Sequence, residues 1–275
     1  LLGALIIVLR EVIEAGLIVG IVLAATQGIP ARMRYILAGL GGGLLGSGVV
    51  AFFAGRLSAA LDGNGQEIFN AAILAVAVVM LAWHTVWMAR HGREMAAELK
   101  QVGQAVRTGS RSLGALAVVV GVAVLREGSE VVLFLYGLAI SSGSTAGLLV
   151  GGLLGLAGGV AISAVTFLGL VRIPLGQLFK VTGLLLTFMA AGLAAQSVAF
   201  LEQADLATVL GRPVWNSAWL LKDSSMVGIV LHTLLGYSDR PTGLQLLVYL
   251  LTLAVIFLLM RLVAPTPRLR HQAAE

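Results

Sequence analysis

Cysteine is absent from these 275 residues. Disulfide staples, thiolate metal sites and thiol redox relays are thereby excluded. Charge is scarce: only 11% of residues are Asp, Glu, Lys or Arg, against about 25% in a typical soluble domain. Histidine occurs four times. No His-Glu-x-x-His motif is present, and only His84 and His232 fall near apolar runs. An enzyme or haem-bearing electron-transfer subunit therefore finds no support. What the chain has is apolar surface: 59% of residues are hydrophobic and the mean hydropathy is +0.99. The expected class is an all-α, multi-pass membrane protein.

About 20 apolar residues cross a bilayer core of roughly 30 Å. On that measure the chain predicts seven spans, near 2–25, 35–56, 67–89, 113–140, 145–171, 175–201 and 243–263. Leu1–Ala25 has the apolarity of a signal peptide, and the chain begins on leucine. Its length and charged centre predict a retained helix. Between spans three and four, residues 90–112 form a polar linker. Its Met95, Leu99, Val102 and Val106 recur at helical spacing and suggest a surface helix on lipid. Between spans six and seven, residues 202–242 carry Trp215 and Trp219, and short interfacial helices are expected there.

The net charge of +5 is dispersed through short loops, so it is read as topology and not as nucleic-acid binding. Twelve Lys and Arg lie on the side of the loops after spans one, three and five and of the C-terminus. Four (Arg56, Arg212, Lys222, Arg240) lie on the other side. Basic loops stay cytoplasmic, so the N-terminus is expected outside and the C-terminus inside. Asp62, Glu67, Glu202, Asp205, Asp223 and Asp239 then form a mildly acidic outer face.

One phrase occurs twice. Arg10-Glu11-Val12-Ile13-Glu14 sits in the middle of span one and Arg126-Glu127-Gly128-Ser129-Glu130 in the middle of span four. An ionisable group at membrane depth costs at least about 2.5–3.5 kcal/mol, so six of them require a function. A glycine-rich span follows each phrase, with Gly39/Gly43 and Gly151/Gly155 at the four-residue spacing that lets helices approach closely. Residues 1–89 and 113–201 thus read as two repeats of three spans. An odd number of spans inverts the second relative to the first and places a site between them at the midplane. The final span, 243–263, is additional.

Residues three and four apart share a helix face. Glu11 with Glu14, and Glu127 with Glu130, can each present carboxylates to one ion, while Arg10 and Arg126 hold glutamates ionised. Four carboxylates and two guanidiniums sum to −2, which a divalent or trivalent cation offsets. Oxygen donors without thiolates select hard cations, and spacing alone does not rank iron against manganese. A structural Arg–Glu bridge and a proton relay are the competing readings. Glu67, Glu202 and Asp223 are weaker candidates for an outer path. Solvated helix ends or caps explain them equally well. His84 falls late in span three, and an interfacial histidine between Trp83 and Trp87 is favoured over an exit-path ligand.

The paired phrase resembles that of the oxidase-dependent iron permeases of the iron/lead transporter family. The resemblance extends over nearly the whole chain, including Trp83-His84-Thr85-Val86-Trp87-Met88, His232-Thr233-Leu234-Leu235-Gly236-Tyr237 and Pro241-Thr242-Gly243-Leu244-Gln245. It implies high-affinity uptake of iron as substrate, with no permanently bound cofactor. It further implies Fe3+ supplied by a periplasmic or extracellular ferroxidase or iron-binding partner, and Glu11, Glu14, Glu127 and Glu130 as metal ligands supported by Arg10 and Arg126. The long cytoplasmic tail of fungal relatives is missing, which points to a bacterial inner membrane. The second phrase has Gly-Ser where Gly-Leu is typical, and Ser129 is expected to face a neighbouring helix. Another hard cation such as Mn2+ or Pb2+, or a proton-coupled carrier, is the alternative.

Overall fold

The computed structural model describes residues 1–60, 66–142, 145–169 and 175–263. Asp62, Arg172, Arg268, Arg270 and Glu275, which enter the charge count, lie outside them. The described residues form eight helices: α1 (Leu2–Ala25), α2 (Arg32–Ala60), α3 (Gln66–Arg107), α4 (Gly114–Ser142), α5 (Thr145–Phe167), α6 (Leu175–Gln203), α7 (Met226–Leu235) and α8 (Gly243–Val263). No strand occurs among them beyond an isolated bridge between Pro213 and Thr242. Five stretches are long and apolar enough to cross a membrane: Arg32–Arg56, Gln66–Trp87, Thr145–Phe167, Phe179–Gln203 and Gly243–Val263. The helices α1 and α4, of 24 and 29 residues, have the length as well. Each differs from the five in carrying the three charges of its phrase.

α1 and α4 cross antiparallel at the centre. Ala4 and Ile7 of α1 share a core with Phe134 and Leu138 of α4. Further along, Ile18 and Val22 share a second core with Leu116, Val120 and Val124. The two charged phrases lie between these apolar clusters. α5 packs along α1, and α2 along α4, both in parallel. Gly151, Gly155 and Gly159 meet Ala4, Val8 and Val12 in turn, while Gly39 and Gly43 meet Val120 and Val124. A Cβ on Gly43 would come within 2.7 Å of the Val124 Cβ, and one on Gly159 within 2.7 Å of the Val12 Cβ. The close approach of these backbones requires glycine. Gly41, Gly42 and Gly48 face open space and carry no such requirement. α3 and α6 pack together on the other side of the crossing, where Ser197 donates to the Ala71 carbonyl at 2.8 Å.

The polar stretch after the third apolar run is not a separate surface helix. α3 is continuous to Arg107, and Leu99 and Val106 turn inward into the core that contains Ile18 and Val22. Past α6 the chain forms turns and one short helix. Ser225 caps α7 by accepting from the Gly228 amide at 3.0 Å, and Gly236 ends it at φ 69°, a left-handed conformation suited to glycine. Thr242 and Gln245 exchange hydrogen bonds at the start of α8 in a capping box.

Candidate metal centre

The antiparallel crossing brings both phrases together, and α3 adds a histidine. Glu11, His84, Glu127 and Glu130 each offer a ligand atom, and these four atoms lie within 4.8 Å of one another. Glu11, His84 and Glu127 are 1%, 2% and 3% exposed. Glu130 is more open, with 15% of its side chain accessible. Three helices therefore contribute, with carboxylates from both repeats.

The arginines divide the site unequally. Arg10 Nη1 donates to Glu11 Oε1 at 2.9 Å and its Nη2 lies 2.8 Å from Glu14 Oε1. Arg10 also donates to His84 Nε2. The other ring nitrogen, Nδ1, faces Glu130. A proton on Nδ1 and a lone pair on Nε2 satisfy both neighbours. Arg126 is one-third exposed. Its Nε donates to Glu130 Oε1 at 3.1 Å and its guanidinium lies over the Trp87 ring, 4.2 Å from the centroid. Carboxylate oxygens Oε2 of Glu11 and Glu127 are buried and accept no hydrogen bond. Buried acceptors without partners cost free energy, which a proton or a metal cation placed between them offsets.

Of the four glutamates expected to gather, Glu11, Glu127 and Glu130 lie in the four-atom group. Glu14 borders it, held by Arg10 and 3.7 Å from His84 Nε2. His84 overturns the expectation of an interfacial histidine. It is buried, edge-on to Phe134 with ring centroids 6.3 Å apart, and lies among the acids. The signal was there in its position on the same face as Leu74, Ala77 and Leu81, which are all buried. The apolar run ends near 89, but α3 continues alongside α1 until Gly103 meets Ala25. His84 is therefore mid-helix.

The outer candidates do not converge on this centre. Glu202 accepts from Thr242 Oγ1 at 2.6 Å and Gln245 Nε2 at 2.7 Å, tying α6 to the start of α8. Asp223 and Asp239 accept from each other's backbone amides. His232 Nδ1 pairs with the Tyr237 carbonyl at 2.7 Å. Glu67 is exposed in the first turn of α3, where an acid complements the helix dipole. Ser129 is half-buried.

Buried acids and an imidazole enclosed by helices of spanning length define a multi-pass membrane protein built to handle a cation. The pattern of the Iron permease FTR1 family matches residues 1–269. The chain belongs to that family and transports iron across the membrane. The ferrous iron permease EfeU of Escherichia coli O6:H1 is 32% identical over 263 residues, covering 92% of this chain and 94% of the relative. That of Shigella sonnei is 31% identical over 254 residues, 90% of each chain. That of Shigella flexneri is 32% identical over 189 residues, 68% of this chain and 80% of the relative. No solved structure matches.

Proposed function

We propose that iron crosses through a single site at the α1–α4 crossing, with Glu11, Glu127, Glu130 and His84 as its ligands. The observation that carries this is the convergence of four buried ligand atoms from three helices within 4.8 Å. Three carboxylates and one imidazole suit iron in either oxidation state better than a soft ion. Arg10 acts as the resident cation. It pairs with Glu11 and Glu14 and occupies the His84 lone pair until iron displaces it. A multivalent ion there draws carboxylates from both phrases, which Arg10 alone does not.

The architecture we propose around this site has seven spans in the bacterial inner membrane: three plus three in inverted repeat, then α8. The N-terminus is outside and the C-terminus cytoplasmic. The antiparallel crossing of α1 and α4 supports it, as do the matched pairs α1 with α5 and α4 with α2. Burial of Arg10, Glu11, Glu14 and Glu127 at the crossing, and the pairing of Arg126 with Glu130, let α1 and α4 span in spite of their charges. The relatives' names specify ferrous iron, whereas the resemblance implies Fe3+ from an oxidase. Both fit a system that takes Fe2+ at the outer face, oxidises it on a partner ferroxidase and admits Fe3+ to the site.

Uptake of radioactive iron in cells without other iron importers tests both parts. The combined Glu11→Ala and Glu127→Ala variant is expected to abolish uptake, and excess manganese to leave wild-type uptake intact. Iron kept reduced by ascorbate should enter only poorly, and adding a ferroxidase should restore it. Equal uptake of reduced iron without any oxidase would refute the Fe3+ step and leave the site untouched.

A further inference from the structure

Two cavities flank the second half of α1, and one of them touches the metal centre. That one, of about 410 Å3, lies between α1, α2, α4 and α5 and has Glu11 and Glu127 in its lining. The second, of about 520 Å3, lies between α1, α5 and the distal half of α3. It reaches Ala24 and Ala25, where α1 ends, and is lined there by Lys100, Gln104 and Arg107. Both cavities share Gly16, Gly20, Ser163 and Phe167, so they meet at the seam between α1 and α5.

That seam is narrow and has one polar group. A Cβ on Gly16 would come within 2.6 Å of the Ser163 Cβ, and one on Gly20 within 3.6 Å of the Phe167 ring. The Ser163 hydroxyl is buried and has no hydrogen-bond partner. The neighbouring Thr166 hydroxyl, in contrast, donates to the Ile162 carbonyl at 2.7 Å. A serine oxygen left free beside two glycines, between a cavity that touches the acids and one that reaches the helix ends, has the placement of a relay ligand. The apolar walls of the cavity beside the acids supply a barrier that opens only when wetted.

We propose that iron leaves the centre along this seam, with the Ser163 hydroxyl as the first oxygen it meets beyond Glu11 and Glu127. The wider cavity lined by Gln104 and Thr166 is then the inner vestibule. This rests on the site and orientation proposed above.

The chain has no cysteine, so Ser163→Cys introduces a single thiol. The test uses the purified full chain in oriented vesicles, with a C-terminal tag to mark the cytoplasmic face and a membrane-impermeant, positively charged methanethiosulfonate as probe. The expected result is modification from the tagged face only. The adduct should lower iron flux to background while equilibrium dialysis still finds iron bound. Gln104→Cys, in the open part of the vestibule, should label from the same face and serves if Ser163→Cys does not fold. Ser112→Cys, exposed between α3 and α4 and lining neither cavity, should carry an adduct without loss of flux. Undiminished flux through the Ser163→Cys adduct, labelling from the opposite face, or no labelling of either vestibule thiol overturns the route. Failure of the unmodified protein to bind iron overturns the site itself and the route with it.

Discussion

His84 changes how the site is read. Without it, two Glu-x-x-Glu pairs form a symmetric ring of four carboxylates. With it, Glu14 pairs with Arg10 beside the four-atom group, and an imidazole joins three carboxylates there. A nitrogen ligand moves the site's preference away from Mg2+ and Ca2+ and towards transition metals. We expect His84→Ala to weaken iron binding by at least about tenfold, the lower end of the loss seen when even an outer partner of a metal ligand is removed. Titration of iron into the purified protein measures this, and unchanged affinity would take His84 out of the ligand set. The two arginines differ just as sharply. Arg10 is 2% exposed and contacts three groups, so its removal leaves buried carboxylates uncompensated. Such a break costs about 3–5 kcal/mol. Arg126 is one-third exposed and hydrogen-bonds Glu130, the most open of the four glutamates, so its removal strands less buried charge. Thermal melting in detergent should therefore show Arg10→Ala far less stable than Arg126→Ala. Equal losses would mean that burial does not set their roles.

At the scale of elements, packing is decided by which glycines face a partner. Gly43 and Gly41 are indistinguishable by composition, yet only Gly43 lies against Val124 and the Gly121 carbonyl. Gly43→Val should cost about 1–3 kcal/mol through overpacking, whereas Gly41→Val should leave the melting temperature near that of wild type. A reversed order would misplace the α2–α4 contact. The same elements mark what the sequence made legible. The paired phrases, their mid-helix position and the glycine spacing were readable because each breaks a strong rule of lipid-facing helices. The continuation of α3 was not. Polar residues such as Arg93 and Glu94 follow Trp87, and hydropathy ends the span there, although the backbone stays helical to Arg107. His84 was misplaced for the same reason. Glu202 and Asp223 were legible as acids but not as partners. Their hydrogen bonds reach 40 and 16 residues along the chain, and no local pattern encodes such pairings.

At the scale of the whole molecule, the question is whether the repeats hold one ion or two. Each phrase has an arginine and two glutamates, enough for a site of its own. The geometry argues against independent sites, because Glu11 of the first phrase is grouped with Glu127 and Glu130 of the second. Neither half alone supplies the full ligand set, and His84 is also shared by contact with Glu130 of the other half. Two consequences separate a shared centre from two half-sites. Purified protein should bind one iron per chain. Glu11→Gln and Glu127→Gln should each remove nearly all uptake, and the double variant should lose little more than either single one, because residues within one site are strongly non-additive. Independent half-sites require the opposite: two ions per chain, about half the uptake in each single variant and additive loss in the double. Counting bound iron in the wild type and in both single variants decides between them, since each variant of a shared centre retains no ion while each variant of a divided one retains one.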